Sequence, residues 1–99
     1  MNQKKFTGTL GLAKRSGNLI SGEEMTHESI RNGKACLVIV AADASDNTKK
    51  KFRNACDFYE VELIEVLTKE ELGHAIGKEF RASMAVTDEG FAGLIRASL

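Results

Sequence analysis

Eight consecutive residues, Ala35-Cys36-Leu37-Val38-Ile39-Val40-Ala41-Ala42, carry no charged or strongly polar side chain, and neither alternating face of the run is hydrophilic. A strand with one face in water alternates apolar and polar residues, so a run that is apolar on both faces needs cover on both. The β-branched residues at its centre favour extended chain over helix. This run therefore calls for a sheet buried between two layers. A chain of 99 residues has the usual size of one domain, and residues 1–99 read as a single domain.

The flanking sequence supplies the covering helices. Phe6, Leu10 and Ala13 stand at i, i+4 and i+7, Lys14 and Arg15 fall in the last turn, and Gly17 lies where a C-terminal cap belongs, which predicts a first helix. Asn18-Leu19-Ile20 makes a very short extended piece. Ser21-Gly22-Glu23-Glu24 has the spacing of a capping box, in which the Ser hydroxyl accepts from the third helical N–H and the Glu reaches back. It predicts a second helix, ending at Asn32-Gly33.

After the long apolar run, residues 43–48 form a turn with several N-cap candidates. Phe52, Ala55, Cys56 and Tyr59 then make the apolar stripe of a third helix, with Lys49, Lys50, Lys51 and Arg53 facing outward. Residues 61–67 read as a strand, and Thr68-Lys69-Glu70-Glu71 as a second capping box opening a short helix that stops at Gly77. A loop over 78–81, a strand over 83–87, an N-cap at Asp88 and a closing helix striped by Phe91, Leu94 and Ile95 complete the chain. Helices alternate with strands throughout. The fold class is α/β, a three-layer α/β/α sandwich with a small central mixed sheet of about four strands.

Hydrophobic residues make up 42% and charged residues 28% of the chain, which excludes the low-apolar composition of disordered proteins. There is no Pro or Trp, so the core is expected to come from aliphatic side chains and five Phe. Met1 to Lys5 runs directly into an amphipathic segment without a long apolar stretch, which argues against secretion and membrane spanning and for a cytoplasmic protein. Cys36 and Cys56 lie within apolar segments, not at metal-ligand spacing, and read as reduced core thiols.

The formal net charge is zero, but it is unevenly distributed. Residues 1–53 hold ten Lys or Arg and five Asp or Glu, a balance of +5, whereas residues 54–99 hold four and nine, a balance of −5. A neutral protein polarised in this way can still present a basic face to phosphates, because attraction depends on local potential.

Catalysis requires convergent groups of tuned pKa, and the candidates here, His27, His74, Cys36, Cys56 and scattered carboxylates, form no catalytic motif. Gly8 and Gly11 lie inside the first helix, and Gly73 and Gly77 likewise lack the order of a phosphate-binding loop. The chain reads as non-enzymatic, with no cofactor and no metal. What remains is surface. The turn at Ser21-Gly22-Glu23 brings the N–H groups of a helix outward, where they suit a phosphate or a base edge. Glu23, Glu24 and Glu28 have a blander reading as complements to the helix dipole. The Lys49-Lys50-Lys51-x-Arg53 run is either a phosphate patch or a solvated helix face. Met25 reads as a core or gap-filling residue.

The stretch Gly11-Leu-Ala-Lys-Arg-Ser-Gly-Asn-Leu-Ile-Ser-Gly22, followed by Ile30-Arg-Asn-Gly-Lys-Ala-Cys-Leu-Val-Ile-Val-Ala-Ala-Asp43, resembles the N-terminal half of the L7Ae/L30e ribosomal protein superfamily, which binds kink-turn RNA. Leu72-Gly-His-Ala-Ile-Gly77 is similar to the family's Leu-Gly-x-Ala-x-Gly signature, and nearly the whole chain is covered, with the bacterial YlxQ-type members most alike. The resemblance implies the same α/β/α sandwich and an RNA face made of the turn into the second helix and the loop before the last strand.

Family members that bind kink-turns carry Gly-x-Asn-Glu-x-x-Lys at that turn, the Glu reading a base edge and the Lys supporting the backbone. Here the Gly is Gly22, but Asn is replaced by Glu24, Glu by Met25 and Lys by Glu28. Two added carboxylates and a lost Lys weaken attraction to phosphates, and Met25 cannot accept a base hydrogen bond as Glu does. Lys78-Glu79-Phe80-Arg81 offers a basic group and an apolar surface suited to an extruded nucleotide.

The expected function is binding of structured, kink-turn-like RNA, with ribosomal RNA as a candidate, in association with the ribosome or translation factors. The expected RNA-binding face is Gly22, Glu23, Glu24, Met25, His27, Glu28, Arg31, Phe80, Arg81 and Ala82. The alternative, motivated by Glu24, Met25 and Glu28, is a protein-interaction module on the same fold with weak or lost RNA binding.

Overall fold

A computed structural model describes residues Met1–Leu99. In chain order the elements are α1 (Gln3–Arg15), β1 (Leu19–Ser21), α2 (Glu23–Arg31), β2 (Leu37–Val40), α3 (Asp46–Tyr59), β3 (Glu62–Glu65), α4 (Lys69–Ala75), β4 (Ser83–Val86) and α5 (Glu89–Ala97). The four strands form one sheet in the order β1-β4-β2-β3. It is mixed, as expected: β4 pairs antiparallel with both β1 and β2, while β2 and β3 run parallel.

The apolar run supplies β2, and all four of its side chains are buried. β4 is buried along its length as well, so the two inner strands are covered on both faces. Helix α1 packs with both α4 and α5, α2 packs with α3, and the sheet lies between the two groups as the middle layer of the sandwich.

A cluster of 22 buried residues forms the core. Phe6 and Leu10 of α1, Phe52 of α3, Leu72 of α4, Met84 of β4 and Ile95 of α5 are all fully buried. Burial of a side chain of this size contributes about 1.5–3 kcal/mol. Cys56 belongs to the core, whereas Cys36 is only half-buried, and both are free thiols.

Two apolar stripes differ from expectation. In α3, Phe52, Ala55 and Cys56 are buried but Tyr59 is 43% exposed. Tyr59 is the last helical residue, and the chain turns at once through Glu60 in the left-handed region. In α5, Leu94 is exposed and fully buried Ala92 takes its place beside Ile95. The buried arc therefore centres on a small residue that a hydropathy pattern underweights.

The sheet edges are short or charged. β1 has three residues, and on β3 the carboxylates of Glu62 and Glu65 accept hydrogen bonds from Arg96 and Arg53. Charged edge residues oppose the addition of a foreign strand. No helix is long and apolar enough to cross a membrane.

Candidate nucleic-acid interface

The entry into α2 is shaped by competition between a strand and a helix for the same few residues. Ser21 still belongs to β1, opposite Met84, and the next N–H, that of Gly22, donates to the Ser83 carbonyl at 3.1 Å. Gly22 then adopts φ 100° and ψ 153°, a conformation almost confined to glycine, and α2 begins at Glu23. Its first bond runs from the Thr26 N–H to the Gly22 carbonyl at 3.0 Å.

The capping box expected at Ser21-Gly22-Glu23-Glu24 does not form. Gly22 is the N-cap and no side chain caps this helix. The Ser21 hydroxyl instead accepts from Arg81 Nε at 3.1 Å. The other four helices are all capped by side chains, those of Asn2, Ser45, Thr68 and Asp88. The first N–H groups of α2, on Glu23, Glu24 and Met25, therefore stand at the positive end of the helix dipole without a side-chain acceptor.

The loop over 78–82 comes to this turn because α4 lets it approach. A Cβ built on Gly73 would lie 2.7 Å from the Glu79 carbonyl oxygen and 2.8 Å from the Phe80 nitrogen, so the loop backbone rests where only glycine leaves room. The Lys78 N–H donates to the Gly73 carbonyl at 2.8 Å and the Arg81 N–H to the Lys69 carbonyl at 3.0 Å. Phe80 is left 54% exposed, whereas Arg81 and Ala82 are half-buried. The Arg81 side chain joins two segments 60 residues apart into one surface, spending one donor on Ser21 and another on the Phe80 carbonyl at 2.7 Å. A guanidinium carries five donors, so others remain.

Of the expected face, Gly22 is the N-cap of α2, Glu23, Glu24 and Met25 belong to its first turn and Glu28 to its second, and Phe80, Arg81 and Ala82 lie in or beside the adjoining loop. Met25 is 58% exposed, so the packing role read from its side chain is wrong. The reason is helical phase: Thr26, Ser29 and Ile30 take the buried side of α2. Ser21 joins the face although its hydroxyl had been assigned to a cap, and no local signal distinguishes those two uses.

His27 and Arg31 turn toward α3. The His27 ring stands edge-on to Phe52, centroids 6.2 Å apart. Burial lowers the His27 pKa first, and the charges of Lys51 and Arg31 lower it further against the pull of Glu23. Glu23 is drawn to the same side, 3.6 Å from Lys51 Nζ. The basic run of α3 is divided between partners: Lys51 meets Glu23, while Arg53 meets Glu65 and depresses that carboxyl through its hydrogen bonds.

No three His, Cys, Asp or Glu side chains gather as a metal site would require. Burial pushes the Cys56 thiol up to about 11 and also raises Cys36, with the neighbouring Glu89 adding to the latter, so both thiols stay protonated rather than nucleophilic near neutrality. His74 is exposed. The buried hydroxyls of Thr26 and Ser83 have no hydrogen-bond partner.

Comparison with known proteins adds to this geometry. Residues 4–95 match the Ribosomal protein L7Ae/L30e/S12e/Gadd45 family. The chain is 47% identical over 92 residues to the RNA-binding protein YlxQ of Bacillus subtilis, covering 93% of this chain and 92% of that protein. It is 46% identical over 91 residues to RNA-binding protein YlxQ of Enterococcus faecium, covering 92% and 87%. Among solved structures, a protein of unknown function from Bacillus halodurans is similar with a TM-score of 0.85 and 39% identity, covering 93% of this chain and 97% of that one.

Proposed function

The chain belongs to the L7Ae/L30e/S12e/Gadd45 family of ribosomal proteins, and from that premise we propose that it binds structured RNA of the kink-turn type, in association with the ribosome or translation factors. The observation that carries the proposal is the junction at Ser21 and Arg81, which makes one face of an uncapped helix start and an exposed aromatic loop. The two bacterial relatives described above are named as RNA-binding proteins.

In this reading each group has a distinct task. The free N–H groups at the start of α2 receive a phosphate oxygen or a base edge. Arg81 offers its remaining donors to the backbone, and Phe80 stacks an unpaired nucleotide. Recognition is chiefly of shape and backbone, since Met25 accepts no base hydrogen bond. Glu24 and Glu28, both exposed, reduce the local attraction to phosphate.

Titration of a kink-turn RNA and a plain duplex of equal length, at low and at physiological salt, tests the proposal. The expected result is tighter binding of the kink-turn at both salts; equal affinity overturns the kink-turn assignment. Glu28→Lys is expected to tighten binding and to steepen the salt dependence by about one unit of slope.

The exposed acidic and apolar group formed by Glu24, Met25 and Glu28 favours a second reading, a protein-interaction module. Cosedimentation with ribosomes without any shift of kink-turn RNA would support it. RNA binding without a ribosomal or protein partner would remove it.

A further inference from the structure

Phe58 is the most exposed large hydrophobic residue of the chain, at 77%, and nothing in the fold covers it. It stands on α3 beside Tyr59 in an edge-to-face pair with centroids 4.9 Å apart. Together with Lys51 and Asn54 of α3 and His27 and Arg31 of α2, the pair lines an open groove of about 580 Å³. No carboxylate lines it. One outlying acid touches its rim, Glu23, through the exposed pair with Lys51.

We propose that this groove is a second RNA contact, which takes a single-stranded segment by stacking a base on Phe58 and holding the adjoining phosphates with Arg31 and Lys51. It rests on the RNA-binding reading given above but uses a different surface, the flank of α2 facing α3 rather than its N-terminus.

Charge and shape select this occupant. Aromatic rings beside cations, with a single exposed acid at the rim that a phosphate can displace from Lys51, suit single-stranded RNA, because every base has a π face and every linkage a negative charge. A second copy of the chain docked by a two-fold axis through the groove would bring Arg31 and Lys51 against their own counterparts, an unfavourable juxtaposition of like charges. The edge-to-face contact with Tyr59 braces the Phe58 ring. Asn54 adds an amide whose donor and acceptor can meet a base edge. The groove also lies along a direct path: α2, with nine residues, spans only about 13 Å from its open start to Arg31.

The probes are a kink-turn RNA, the same RNA with a ten-uridine single-stranded tail, and decauridine alone, each titrated into wild type, Phe58→Leu and Phe58→Trp. Since the side chain is exposed, all three proteins are expected to melt at the same temperature. The tail should tighten binding to wild type roughly ten-fold, Phe58→Leu should lose that gain, and Phe58→Trp should keep it. The untailed RNA should bind all three alike.

A tail without effect, or a gain that survives in Phe58→Leu, overturns the proposal. If the untailed RNA binds none of the proteins, the kink-turn reading has failed, and decauridine then decides the groove separately: binding that needs an aromatic residue at 58 upholds it, and its absence overturns it. Sedimentation showing a dimer that Phe58→Leu dissolves would assign the groove to a second copy and overturn the RNA contact.

Discussion

Helices α2 and α4 begin with nearly the same letters, Ser21-Gly22-Glu23-Glu24 and Thr68-Lys69-Glu70-Glu71, yet one start is open and the other closed. At α4 the Thr68 hydroxyl accepts from the Glu71 N–H at 3.0 Å, and the Glu71 carboxylate accepts from the Thr68 N–H at 3.0 Å. The side-chain amide of Gln3 and the Thr68 groups hold the Glu71 carboxyl below its usual pKa. Asp43 accepts from the Lys69 N–H at 2.8 Å, so yet another donor of that first turn is satisfied. At α2 the hydroxyl has gone to Arg81 and the leading N–H groups have no side-chain acceptor.

The difference lies in what precedes each helix. Thr68 is outside the sheet and free to turn inward, whereas Ser21 is the last residue of a strand, its neighbour Gly22 still bonded to β4. A capping motif is a statement about which atoms are near one another, and an adjoining strand can move them apart. One consequence is a division of labour. The closed start of α4 supports the loop, and the open start of α2 faces solvent beside it.

The comparison can be broken most forcefully at Gly73. Its α4 position forbids a Cβ, so Gly73→Ala is expected to destabilise the protein by about 3 kcal/mol, the upper end for overpacking, and to displace the loop that carries Arg81. Thermal melting and RNA titration check this together; an unchanged melting temperature would show that α4 does not brace the loop.

Gly22→Ala comes next, with an expected loss of about 2 kcal/mol, because φ 100° and ψ 153° strain any residue with a Cβ. Denaturant unfolding reads the loss.

The smallest effects compare the two hydroxyls directly. Thr68→Ala is expected to cost about 1 kcal/mol, the usual penalty for a lost N-cap. Ser21→Ala should cost less than about 0.5 kcal/mol, because an uncapped helix loses no cap and the partly exposed Arg81 has other partners. Equal losses in parallel denaturant titrations would mean that α2 is capped in solution, and the contrast would collapse.

Much of the architecture was legible because it depends on neighbours in sequence. The buried strand at Leu37–Val40, the N-cap at Asp88 and the box at Thr68 each follow from residues within a few positions of one another. The exposed ends of the apolar stripes, Tyr59 and Leu94, were not legible, since periodicity identifies an apolar side of a helix but not how far its partner layer extends. The expected RNA face divided in the same way. Residues 22–25 and 28 and residues 80–82 lie in the joined turn and loop region, but His27 and Arg31 belong to the groove against α3, beside Phe58, which composition counts among the five core Phe and which is instead 77% exposed.

By itself the sequence determined the α/β order, the need for cover on both faces of β2, and the family of the chain. Those properties are sums over local preferences and apolar burial, which tolerate small errors in register. Tertiary structure alone decided the partner of the Ser21 hydroxyl. Two donors compete for that oxygen, a nearby helix N–H and an arginine 60 residues away, and the outcome depends on where β1 and the Gly73-supported loop set the atoms.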